Sequence, residues 1–90
     1  MVYLLVRLTV RDFDQWKPYF DANDADRRAN GAGTPQIFRS ALEPNEITIL
    51  FEWDNVYNAQ HFAASQDMRE MMKKAGVIGS PTFSVLDKVD

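Results

Sequence analysis

The sequence predicts an α+β domain of βαββαβ order: a four-stranded antiparallel sheet with two helices on one face. Three observations lead there. Residues 2 to 10 alternate at period two, with Val2, Leu4, Val6, Leu8 and Val10 forming a wholly apolar face, the mark of a half-buried strand. TPQIFRSAL and EITILFEWD flank the Pro-Asn turn of EPNE and read as two strands of a hairpin. Helical periodicity brackets that hairpin, through Phe13, Trp16 and Phe20 on one side and Val56, Ala59, Phe62 and Ala63 on the other.

Taken in order, the first strand carries Tyr3, Leu5, Arg7 and Thr9 on its second, mixed face. Asp12 and Asp14 then offer N-caps, Asp12 with Gln15 at capping-box spacing. The first helix is expected to run to Asn30-Gly31, a good C-terminal stop. Pro18 requires it to start near Asp14 or to bend, because proline removes a helical N–H. The second helical region covers about 55–75. SQD near its middle stops one helix and caps another, Asp67 having Glu70 three residues on. AGVIGSP reads as a loop and TFSVLDK as a short last strand.

Pairing Leu42 with Ile47 across EPNE puts Ser40, Phe38 and Gln36 opposite Ile49, Phe51 and Trp53. Ile37 and Arg39 then share a face with Leu50 and Glu52, since opposed residues lie on one side of a sheet. The set Ile47, Ile49, Phe51 and Trp53 is the more apolar and is expected to meet the helices. Glu52 thus points to the uncovered face, with Arg39 diagonally across and Arg7 on the same side. Two arginine partners favour a register-fixing salt bridge over a catalytic carboxylate. That face, carrying Tyr3, Leu5, Ile37 and Leu50, is too apolar for a small monomer to leave wet. The expected partner is a second copy, packed sheet to sheet as a homodimer.

Ninety residues make one domain, spanning 1–90. A net charge of −3 without a basic patch argues against nucleic acid. Cysteine is absent and His61 is the single histidine, so thiolate and His-rich metal sites are excluded; no EF-hand, Walker or GxGxxG pattern occurs. MVYLLVRLTV is interrupted by Arg7 and reads as a strand rather than a signal peptide. No apolar run approaches the ~20 residues that cross a bilayer. The expected location is the cytoplasm, without membrane partners.

The segments DFDQWKPYFDANDADRRANGAG, FEWD and SQDMREMMKKAGVIGSP resemble the dimeric α/β-barrel (ferredoxin-like) superfamily. Within it they are most similar to the small proteins grouped with antibiotic-biosynthesis monooxygenases and often labelled cyclase-like. The resemblance covers essentially the whole chain. It implies a substrate site between helices and sheet within each subunit, and a superfamily range from cofactor-free oxygenases and isomerases to haem-degrading enzymes. It also implies that histidine often stands where this chain has Asn23, with an arginine matching Arg27. Without that histidine, no general base occupies the position.

The inward stripe of the first helix runs from Phe13, Trp16 and Phe20 into Asn23 and Arg27. Trp16, Phe20 and Trp53 are therefore candidate walls of a pocket for a small aromatic ligand. Asn23 and Arg27 are its candidate polar end, Arg27 being either a guanidinium aimed at an oxygen or a surface partner of Asp24 or Asp26. His61 and Tyr57 project away from the core stripe of their helix, a surface placement. Met68, Met71 and Met72 read as packing, with a tunnel lining the rarer use. No nucleophile–base pair is visible. Cofactor-independent oxygenation or cyclisation of a polycyclic or quinol-like substrate fits this set, as do a non-catalytic binder and a structural module. No cofactor is expected, and haem degradation ranks lower because His61 points outward.

Overall fold

The computed structural model describes residues 2–89. Its elements, in order, are β1 (Val2–Val10), α1 (Phe13–Ala22), α2 (Asp24–Ala29), β2 (Gln36–Arg39), β3 (Glu46–Trp53), α3 (Val56–Ala63), α4 (Gln66–Lys74) and β4 (Val77–Leu86). The strands form one antiparallel sheet in the order β2-β3-β1-β4, the ferredoxin-like arrangement. The even residues of β1 and the odd residues of β3 are buried beneath the helices, giving a single core with Trp16, Ala59 and Ala75. Each expected helix is divided in two, and among the described residues no helix is long and apolar enough to cross a membrane.

The caps explain the helix boundaries. Asp12 starts α1 by accepting the Asp14 N–H at 2.9 Å, so the helix begins at Phe13 and accommodates Pro18 in its interior. The expected division at SQD occurs, but its cap is Ser65, whose hydroxyl accepts the Met68 N–H at 3.2 Å, and not Asp67. A serine two residues earlier starts the helix sooner, its hydroxyl satisfying an orphan amide of the first turn. On α3, Ala59 is buried and Phe62 packs against the core, whereas Val56, at the first turn, is exposed.

The β2–β3 register differs from the expected one. Gln36 pairs with Leu50, Ile37 with Ile49, Phe38 with Thr48 and Arg39 with Ile47. The cause lies in the turn. Ser40 still donates its backbone N–H to Glu46 O at 2.9 Å, but its hydroxyl accepts the N–H groups of Leu42 and Glu43 at 3.3 and 3.1 Å, folding residues 41–45 out of the ladder. Ile37 therefore packs on the core, and the Arg39 guanidinium lies 4.8 Å from the Phe13 ring centroid on the helix side. Phe38 takes the place expected of Ile37 on the open face. Glu52 does face the open side, but its partner is Tyr3 directly opposite, whose hydroxyl donates at 3.0 Å. That bond holds the Tyr3 proton, pushing its pKa up.

The last strand is longer than expected, because most of AGVIGSP joins it. Thr9 pairs with Ile78 but Arg7 with Thr82, so residues 79–81 stand against Leu8 alone. Gly79 supplies the positive φ of 70°, and Pro81 is tolerated because β4 is an edge strand.

Gly31 anchors the end of α2 to the sheet. Its carbonyl accepts the Asp54 N–H at 2.9 Å, and Gly33 donates to the Glu52 carbonyl at 2.7 Å. With φ at 112°, a Cβ on Gly31 would collide with the Asp54 carboxylate. Gly31→Ala is expected to cost about 1–3 kcal/mol, read as a lowered thermal unfolding midpoint.

Candidate functional site

Two aromatic side chains one helical turn apart make the first wall. Trp16 and Phe20 stack with ring centroids 5.0 Å apart, Trp16 buried and Phe20 partly so. The helix then breaks at Asn23, which has φ −97° and ψ 7°. Its backbone N–H bonds Phe20 O at 3.2 Å in place of the Tyr19 carbonyl one residue further back, and its side-chain amide donates to that Tyr19 carbonyl at 2.9 Å. The amide thus replaces the backbone bond the break gives up.

The break lets α2 turn Arg27 inward. Arg27 is only 6% exposed. Its Nη1 donates to the Phe20 carbonyl at 2.8 Å, and its guanidinium carbon sits 3.8 Å from the Phe20 ring centroid. Trp16, Phe20 and Arg27 form one stacked column. The nearest anion is Asp24, 3.6 Å from Nη2, and Asp24 holds Arg28 more closely, at 2.7 Å. Nε is buried without a hydrogen-bond partner. Burial pulls the Arg27 pKa down, an effect that Asp24 and then Asp21 oppose. Arg28, then Arg27, hold the Asp24 carboxyl below its usual range.

The opposite wall comes from α4, which presents Met68, Met71 and Met72 at helical spacing and has no fully buried residue of its own. Thioethers adapt their shape readily. Between the walls lies a cavity of about 360 Å³, floored by Val6, Leu8, Ile49 and Phe51 of the sheet. Its polar rim comes from Asn23, Asp26 and Asn30 on the α2 side and from Ser65 and Asp67 at the α3–α4 break.

Four of the five residues expected at a pocket, Trp16, Phe20, Asn23 and Arg27, converge on this cavity. Trp53 does not line it. It pairs with Val2 at the far end of the sheet and lies against Phe62 and Phe51, with centroids 5.0 and 5.5 Å apart. Those rings separate it from the space its sequence position suggested. Arg27 is inward, so its role exceeds that of a surface partner for Asp24. The methionines are lining as well as packing, a use signalled by their i, i+3, i+4 spacing beside a capped break. In the sequence Asp67 read as a helix cap and Asp26 as a surface partner for Arg27, and neither pointed to a cavity. His61 is exposed and stacks on Tyr57, centroids 6.2 Å apart, outside the cavity.

No protein-family model matches the chain, and no curated protein matches it by sequence. Solved structures match along its whole length. A Bordetella bronchiseptica protein provisionally named an antibiotic biosynthesis monooxygenase superposes with TM-score 0.78 at 20% identity, covering 98% of this chain and 96% of its own. A second structure, of an antibiotic biosynthesis monooxygenase, gives TM-score 0.74 at 14% identity and covers 100% of both chains. SnoaB, a cofactor-independent oxygenase from Streptomyces nogalater, gives TM-score 0.70 at 13% identity, covering 98% of this chain and 94% of its own. At these identities the likeness is one of fold. The chain is thus a ferredoxin-like α+β protein with a cavity between its helices and the core face of its sheet.

Proposed function

We propose that the chain is a cofactor-independent monooxygenase acting on a planar aromatic substrate held in the helix–sheet cavity. The observation that carries this reading is the cavity itself, walled by the stacked Trp16–Phe20 pair and by thioethers. An apolar cavity of about 150 Å³ accommodates one benzene ring, so about 360 Å³ suits two or three fused rings. SnoaB, which shares the fold, supports the reaction class. A ring-flanked methylene can supply all the electrons: it loses two hydrogens and gains one oxygen atom, and the second oxygen leaves as water. The protein then has to exclude bulk water, orient the ring plane and favour an electron-rich form of the substrate.

One observation favours the alternative of a non-catalytic binder. The Asn23 amide is engaged with the Tyr19 carbonyl, and the cavity offers only rim carboxylates as bases. Oxygen uptake separates the two. Incubation with a three-ring anthrone should consume oxygen in air and yield the oxidised ketone, with no product under nitrogen. Saturable quenching of tryptophan fluorescence without oxygen uptake would replace the oxygenase by the binder.

We further propose that a second copy covers the open sheet face. Tyr3, Leu5, Phe38 and Leu50 lie there with Ile78 and Leu86, the last two and Phe38 all exposed. Arg7 and Glu52 lie on the same face four residue pairs apart, so a two-fold axis can set the cation of one copy against the anion of the other.

A further inference from the structure

We propose that the cavity takes its fused-ring ligand as a monoanion, a phenolate or aryl carboxylate, whose oxygen accepts a hydrogen bond from the Arg27 guanidinium. The proposal rests on the helix–sheet cavity being the ligand site, as argued above. A guanidinium has five N–H donors in a fixed fork and stays charged when buried. In Arg27 one donor serves the Phe20 carbonyl, and Asp24 stands at 3.6 Å from Nη2. The Nε donor is buried and unpaired beside the cavity. A buried polar donor left unmade is costly, and a buried charge calls for a full counter-charge. Asp24 supplies only part of one, because its other oxygen lies 2.7 Å from Arg28.

The stacking geometry supports the same ligand. Phe20 packs against both the Arg27 guanidinium and Trp16, so an aromatic ring bound beside them meets aromatic side chains and cation together. The rim sets the upper limit on charge. Asp26 and Asp67 line the cavity from two different helices, and a second negative charge on the ligand would be repelled by both. One anionic oxygen at one end of an otherwise apolar ring system satisfies every one of these constraints.

Calorimetric titration of the intact protein with naphthalene-2-carboxylate and its neutral isostere naphthalene-2-carboxamide tests the proposal. The carboxylate is expected to bind at least about tenfold more tightly, as a charge-assisted hydrogen bond requires. Naphthalene-2,6-dicarboxylate should bind more weakly than the monoanion. In Arg27→Gln the carboxylate-to-carboxamide ratio should collapse to within about twofold, with Arg27→Lys intermediate because it keeps the charge and loses the fork. Equal binding of the two ligands to the wild-type protein would overturn the proposal while leaving the cavity as an apolar site. So would a preference that persists in Arg27→Gln. Binding of neither ligand would overturn the cavity reading, and this inference with it. If Arg27→Gln does not fold, the wild-type ratio and the dicarboxylate decide the matter by themselves.

Discussion

Trp53→Ala is expected to destabilise the fold by about 3–5 kcal/mol, the range for truncating a buried aromatic. Domains of this size have roughly 5–15 kcal/mol in total, so the variant loses a large share of its stability. The side chain is 0% exposed and among the largest in the core. It holds together three parts of the chain: it packs on Phe62 of α3, pairs with Val2 of β1, and bridges to Ala32 beyond α2. Urea unfolding should show a lower midpoint with an unchanged slope. Trp53→Phe should cost much less, because it keeps most of the apolar volume and removes an indole N–H that has no partner. Trp53 does not line the cavity, so ligand affinity per folded molecule should survive either change. A large affinity loss with full stability would return Trp53 to the pocket wall.

The alternation of β1 was legible because period two over nine residues has one interpretation, and the core face of β3 followed from its greater apolarity. Register was not legible, because it depended on a single hydroxyl. Reading EPNE as a tight turn is reasonable from Pro-Asn chemistry. The Ser40 side chain captures two backbone amides before that turn, and the register follows the earlier event. Three residues of displacement is an odd number, so every β2 side chain changes face. Arg39 moves to Phe13 and Phe38 to the open side, while Glu52, on the other strand, stays where it was expected and finds a tyrosine instead of an arginine. The division of the first helix was hidden for a similar reason, since Asn23 is a helix breaker only through its bond to Tyr19 O.

The site was legible along one helix and not across elements. Trp16, Phe20, Asn23 and Arg27 lie on a single stripe, and a polar residue continuing an apolar stripe was the signal for Arg27. That signal left burial undecided, since Arg27 could equally have bonded Asp24 at the surface. The geometry gives it both, Asp24 at a distance and the Phe20 carbonyl inside. Which side chains close the far wall depends on where α4 lies over the sheet. Sequence periodicity says that Met68, Met71 and Met72 share a face, but not that a cavity rather than a tight interface separates them from Trp16.

Leu50→Lys is expected to convert the dimer proposed above into a monomer, weakening association by about a hundredfold or more, since an unpaired ammonium in an apolar interface costs several kcal/mol. Leu50 sits at the centre of the open face, opposite Leu5 on β1 and Gln36 on β2. On the same face Phe38, Ile78 and Leu86 are 53%, 49% and 40% exposed. Light scattering at micromolar concentration should report twice the chain mass for the wild type and the chain mass for the variant. Interfaces of about 800 Å² per partner normally persist at that concentration. Two adjacent residues then test the β2 register along with the interface. Phe38→Lys should weaken the dimer and leave the fold stable, because Phe38 points outward. Ile37→Lys should destabilise the fold, because Ile37 packs on the core. The reverse pattern would restore the register that EPNE suggested and put Ile37 in the interface. A wild type that scatters as a monomer would remove the second copy altogether and leave the open face to water.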